Sequence, residues 1–169
     1  MQRLILMRHG EAERPAAGVS DFDRGLTQDG RAESRLVGRA LADAGLDPDL
    51  ALVSPALRAL ETWRAVAESF NRPAEEHDAS LYAASAVRLA AGAREAAPRA
   101  RTLIMVGHNP GMHQFAIHLA IQAGASEAGA KPLFERFPTA TAAVFAIDAD
   151  GRPAFERLFL ARDHRGDAG

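Results

Sequence analysis

Short apolar runs along this chain alternate with longer stretches in which apolar residues recur every three or four positions. That alternation predicts strands followed by helices. Leu4-Ile5-Leu6-Met7 and the runs over 50–53 and 102–106 read as buried strands. After the first comes a helical face of Ala32, Leu36, Val37, Ala40, Leu41 and Ala44, opened by Thr27 as N-cap and stopped at Gly45. After the second, from about Pro55, come Leu57, Leu60, Trp63, Val66 and Phe70. After the third, Met112, Phe115, Ala116, Leu119 and Ala120 line another face. A more weakly patterned Ala-rich helix is expected over about 85–97. Residues 11–25 and 124–138 read as loops on their Gly and Pro content. Segments 142–147 and 154–160 flank Asp148-Ala149-Asp150-Gly151 and read as an antiparallel hairpin. The order predicts an α/β fold: a three-layer α/β/α sandwich on a mostly parallel sheet with an antiparallel edge. Residues 1–162 are expected to form a single domain and 163–169 a flexible tail.

At 169 residues, 47% hydrophobic and 25% charged, the chain buries roughly 70% of its unfolded surface and needs no staple. Its 20 basic residues balance 22 acidic ones, so no basic excess points to nucleic acid or a membrane surface. Lys131 is the only lysine, leaving 19 arginines. This speaks against Walker-type or Schiff-base chemistry; arginine's fork suits bidentate phosphate binding, while most of the nineteen read as solvated surface. The absence of cysteine excludes a thiol nucleophile, a disulfide framework and thiolate metal sites. No run approaches the roughly 18 apolar residues of a membrane span, and the first apolar run is too short for a secretory signal. A cytoplasmic protein, with a monomer favoured, is the expectation.

Candidate chemistry sits where strands give way to helices. Arg8-His9-Gly10 follows the first strand, Ser54-Pro55-Ala56-Leu57-Arg58 the second and Gly107-His108-Asn109-Pro110-Gly111 the third. Ligands of α/β sheets bind at the carboxyl ends of strands. Parallel pairing would gather two histidines, two arginines and helix N-terminal amides there. Such a set suits a phosphate dianion, and a histidine beside it is a nucleophile or an acid/base. His113 and His118 lie five apart on the following helix, off a common face, and read as helix-surface residues.

The Arg8-His9-Gly10 triplet, the Leu26-Thr27-x-x-Gly30 element, the SPALRALET stretch and the GHNPG turn together resemble the histidine phosphatase (phosphoglycerate mutase-like) superfamily. They are most similar to its small SixA-type phosphohistidine phosphatase branch. The resemblance spans about residues 1–160. It implies a phosphoglycerate mutase-like fold and a hydrolase without metal or cofactor. His9 would become phosphohistidine, Arg8 and Arg58 would hold phosphoryl oxygens, and His108 would stabilise charge with help from Asn109. The substrate implied is a phosphorylated molecule, and in the SixA-type branch a histidine-phosphorylated protein in signal transduction or phosphotransfer. A small-molecule phosphomonoesterase or mutase of the same superfamily and a non-catalytic phosphoprotein-binding module are the rival readings. Glu61 stands where the family often has glutamine, and Gly25 where a proline often precedes the Leu-Thr pair. The proton donor of larger members has several candidates here, Glu11, Asp21 and Glu76 among them, with Arg24 as an auxiliary phosphate contact.

A nucleophilic His9 has a physical requirement of its own. The attacking nitrogen must be free of a proton, so the other must carry it, most simply by donating to a backbone carbonyl.

Overall fold

In the computed structural model, which describes residues 1–125 and 127–164, strands β1 (Arg3–Arg8), β2 (Leu50–Val53), β3 (Ala74–His77), β4 (Thr102–Gly107), β5 (Thr141–Ile147) and β6 (Pro153–Leu160) form one sheet. Its order is β3-β2-β4-β1-β5-β6. The first four strands in that order run parallel; β5 and β6 add an antiparallel edge. The helices are α1 (Gln28–Asp43), α2 (Leu57–Ala67), α3 (Ala86–Ala96), α4 (Gly111–Gln122) and α5 (Glu127–Glu135).

The continuous apolar runs of β1, β2 and β4 are explained by cover on both faces. In β1, Leu4 and Leu6 join the core under α3, α4 and α5, while Ile5 and Met7 join the core under α1 and α2. The same alternation splits Leu103 and Met105 from Ile104 and Val106 in β4. The result is three layers, α1 and α2 on one side and α3 to α5 on the other. Helix starts follow the sequence signals: the Thr27 hydroxyl oxygen accepts from Gly30 N at 2.9 Å, and that of Ser85 from Arg88 N at 3.3 Å.

Two elements depart from the expected pattern. Residues 124–138 are not a loop throughout, because α5 crosses them with Pro132 inside it. Fully buried Ala130 and Leu133 dock α5 on the sheet, and that packing outweighs the proline's local cost. Strand β3 was not expected; all four of its residues are exposed. Of the expected tail, Asp163 and His164 lie in a 3₁₀ turn over Ala161–His164, and 165–169 lie outside the described residues. No helix among the described residues is long and apolar enough to cross a membrane.

Candidate active site

The strand order places β4 between β2 and β1, so the three polar junctions open side by side. Arg8 pairs with Gly107 and Val53 with Val106. The ladder continues one step further, with His9 N donating to Gly107 O at 3.0 Å and Ser54 N to Val106 O at 3.0 Å. His9, His108 and Ser54 therefore leave the same edge of the sheet at the same level.

His9 is fixed by its own neighbour. Nδ1 lies 2.7 Å from Gly10 O. A carbonyl only accepts, so Nδ1 carries the proton of the neutral ring and Nε2 keeps its lone pair. Gly10 in turn donates through its backbone to Thr62 Oγ1 at 2.9 Å, and that hydroxyl donates to Arg58 O at 2.7 Å. The Gly10 backbone also presses against the start of α1. A Cβ on Gly10 would fall 2.6 Å from Gly30 O, and one on Gly30 would fall 2.2 Å from Glu11 O. Only glycine at both positions lets the His9 loop sit this close to the helix.

The cations flank the two histidines. Arg8 continues the β1 alternation onto the α4–α5 side, where its Nη1 donates to Phe137 O at 3.0 Å. Asn109 Nδ2 donates to the same carbonyl at 2.9 Å. Arg58, on the first turn of α2, is 5% exposed, and both of its terminal nitrogens donate to Asp21, one to the backbone carbonyl and one to the carboxylate at 3.0 Å. His108 is buried beside His9, their ring centroids 5.1 Å apart. Its Nε2 lies 2.7 Å from Ser54 Oγ. Tyr82 stands edge-on to the His108 ring, centroids 5.5 Å apart.

Among the described residues, five buried side-chain nitrogen or oxygen atoms have no hydrogen-bond partner: Arg8 Nε, Arg58 Nε, His108 Nδ1, Asn109 Oδ1 and Thr141 Oγ1. Four belong to this one site. Buried donors are ordinarily satisfied within the fold, so three nitrogens left over beside His9 describe an anion cradle. Burial lowers His9 to about 3; the Gly10 bond opposes it in part, and His108, Arg58 and Arg8 add smaller lowering effects. Burial, and then Arg58, lower His108 to about 4. Both rings are thus neutral near pH 7, and Arg8 is itself lowered by burial.

Arg8, His9, Arg58, His108 and Asn109 come together as a group. The remaining candidates do not join them as acids. Asp21 lies against the site but is held well below the usual carboxylate range by hydrogen bonds from Arg24 and Tyr82 and by the Arg58 charge, which favours an ionised anchor over a proton donor. Glu11 accepts from Thr27 Oγ1 at 3.0 Å. Glu76 pairs with Arg99 and stands on the edge strand β3, separated from β1 by β2 and β4. Arg24 is half-buried, its fork engaged by Asp21 Oδ1 at 3.0 and 2.7 Å and its remaining terminal nitrogen by Glu13 O at 2.7 Å. His113 is not a free surface residue either: its Nε2 donates to Leu133 O at 2.7 Å and its ring stacks on Phe137, tying α4 to α5.

Sequence reasoning passed over Ser54, Tyr82 and the Phe137 carbonyl. Ser54 carried a signal, because it opens the second junction. Tyr82 is the chain's single tyrosine, but nothing local places it against His108.

Residues 4–80 match the family model described as histidine phosphatase superfamily (branch 1). An uncharacterised protein of Mycobacterium tuberculosis strain CDC 1551 / Oshkosh is 32% identical over 141 residues, covering 83% of this chain and 87% of that one. A 2,3-bisphosphoglycerate-dependent phosphoglycerate mutase of Rhizobium etli is 40% identical over 73 residues, 42% of this chain but only 35% of the mutase. Among solved structures, the protein histidine phosphatase SixA complexed with tungstate superimposes with a TM-score of 0.77 at 25% identity, covering 95% of this chain and 98% of the other.

Proposed function

The chain belongs to the histidine phosphatase superfamily, and from that premise we propose that it is a phosphatase that carries the phosphoryl group on His9 and takes it from a phosphohistidine presented by another protein. The observation that carries this reading is His9 itself, its Nδ1 committed to Gly10 O and its ring set beside His108, Arg8 and Arg58. In the first step His9 Nε2 attacks phosphorus as the P–N bond to the substrate imidazole breaks. That imidazole leaves as the neutral ring when its other nitrogen already bears a proton. Arg8 and Arg58 hold the phosphoryl oxygens, and His108 donates to them through Nδ1. Water then attacks the phosphorus on His9, orthophosphate departs and the neutral ring returns. Phosphoryl transfer of this loose kind draws its rate from positioning and charge stabilisation, which the arginines and His108 supply without a metal.

The choice of phosphohistidine over an alkyl phosphate rests on the carboxylates. An alkoxide leaving group needs a strong acid, whereas Asp21, Glu11 and Glu76 are each engaged by other partners. The half-buried His9 also suits a phosphorylated side chain reaching in from a partner's surface.

Phosphate release from a phosphohistidine peptide in excess EDTA, with wild type and His9→Ala side by side, tests the reading. Turnover by wild type alone, with an acid-labile phosphoryl group trapped on His9, is expected. A higher kcat/KM on sugar phosphates than on the peptide would move the assignment to a phosphomonoesterase or mutase. Saturable peptide binding without release would make it a binding module.

A further inference from the structure

Asp21 gathers more of the site's surroundings than any other side chain on the 11–25 segment. One carboxylate oxygen receives the Arg24 fork at 3.0 and 2.7 Å. The other receives Arg58 Nη2 at 3.0 Å and Tyr82 Oη at 2.9 Å. The Asp21 backbone carbonyl takes Arg58 Nη1. Tyr82 closes a second side of the same guanidinium, with Arg58 Cζ 6.0 Å from its ring centroid. A guanidinium offers two forks, an end-on one from Nη1 and Nη2 and a side-on one that includes Nε. Asp21 spans the end-on fork. The Nε–H of the side-on fork is buried and has no partner among the described residues.

Resting on the reading of Arg58 as a phosphate-holding group, we infer that Asp21 is a positioning residue that grips the end-on fork of Arg58 and thereby aims its side-on fork at the phosphoryl group. Arg24 keeps the carboxylate from swinging away, because it is itself tied to Glu13 O at 2.7 Å. Tyr82 shares the anchor and presents its edge to His108. One exposed carboxylate therefore sets the orientation of a buried cation. Its loss acts on binding of the phosphoryl group first and on turnover through that.

Calorimetric titration with inorganic phosphate tests this on Asp21→Asn, Asp21→Ala, Arg58→Ala and the Asp21→Ala/Arg58→Ala double variant, with phosphohistidine-peptide turnover measured in parallel. Asp21→Ala is expected to weaken phosphate roughly tenfold, about the worth of one well-aimed charge-assisted hydrogen bond. Asp21→Asn, which keeps an oxygen acceptor, falls between it and wild type and serves if the alanine variant does not fold. In the Arg58→Ala background the Asp21 change adds nothing. Equal weakening in both backgrounds means Asp21 acts on the loop and not through Arg58, and overturns the inference. So does tighter phosphate binding by Asp21→Ala, since the carboxylate would then be a competitor for the guanidinium. Wild-type turnover that Asp21→Ala leaves untouched sinks the inference and spares the phosphatase reading. Wild type that neither binds phosphate nor turns over peptide overturns both.

Discussion

Ser54 Oγ lies 2.7 Å from His108 Nε2, and both residues are buried at the ends of adjacent strands. The contact fixes more than ring orientation. If the Ser54 hydroxyl donates to Nε2, the neutral His108 ring must carry its proton on Nδ1, the buried nitrogen without a partner among the described residues. That nitrogen is then a donor for a phosphoryl oxygen. Ser54→Ala removes this control and leaves Nε2 unpaired. The expected result is a fall in kcat/KM of roughly tenfold to a hundredfold, from about 1–3 kcal/mol of lost hydrogen bonding. Ser54→Thr restores much of it. Steady-state kinetics on a phosphohistidine peptide, with circular dichroism to confirm folding, makes the comparison. Unchanged kinetics for Ser54→Ala would remove the serine from the mechanism.

Gly10 is the position where the nucleophile loop has least room. A methyl there meets Gly30 O at 2.6 Å and Ser34 Oγ at 2.8 Å. The first of these is backbone and cannot rotate away. Gly10→Ala must therefore push the loop off α1, taking with it the carbonyl that holds His9 Nδ1. Overpacking of this kind costs about 1–3 kcal/mol, visible as a lowered denaturation midpoint, and turnover should fall further than the stability loss explains. A Gly10→Ala protein with wild-type turnover would show that the His9–Gly10 bond does not set the nucleophile.

What the sequence made legible follows from how local each signal is. β1, its apolar run and the Arg8-His9-Gly10 turn are contiguous, and so are the Thr27 cap and the His108 turn. These were readable without a fold. β3 was not, because Ala-Glu-Glu-His at an exposed edge has no apolar alternation to announce it. α5 was hidden by Pro132, and only its packing through Leu133 makes a helix there. The Ser54–His108 contact depends on β4 lying between β2 and β1, a long-range pairing no window of sequence contains. Asp21 looked like a candidate acid until its partners, Arg24 nearby and Arg58 and Tyr82 far along the chain, came together around it.

Glu61, unusual for the family the motifs resemble, has a structural account. Its Oε2 accepts from Leu26 N at 2.6 Å and its Oε1 from Arg31 Nη2 at 2.8 Å. A Cβ at Gly25 would stand 3.0 Å from Oε2, so the two departures from the family pattern touch one another. Glu61→Gln keeps an acceptor for Leu26 N and loses only the charge pair with a partly exposed arginine. It should cost less than about 1 kcal/mol. Glu61→Leu leaves the Leu26 amide unpaired and Arg31 holding only the Leu26 carbonyl, and should cost about 1–3 kcal/mol. Urea denaturation of the two variants separates them; equal losses would mean the amide bond, and not the ion pair, is immaterial.

The two site histidines also predict how stability depends on pH. Burial and neighbouring cations lower His9 to about 3 and His108 to about 4, from an ordinary value of 6.5. The unfolded chain therefore binds these protons more readily than the folded one. Their contribution to stability is complete above pH 6.5 and is lost as the pH falls from there towards 4. Asp21 and Asp78, whose ordinary value is 3.8, enter mainly below that window. Denaturant midpoints between pH 7 and 4.5 should fall for wild type and fall less steeply for His9→Asn. Inorganic phosphate should oppose the fall, because a dianion between the arginines favours the protonated form of His108. The same lowering keeps His9 Nε2 unprotonated, so the acid limb of kcat/KM should show no inflection near 6.5 from the nucleophile. A midpoint that is level across this window would mean that His9 and His108 titrate as ordinary exposed histidines.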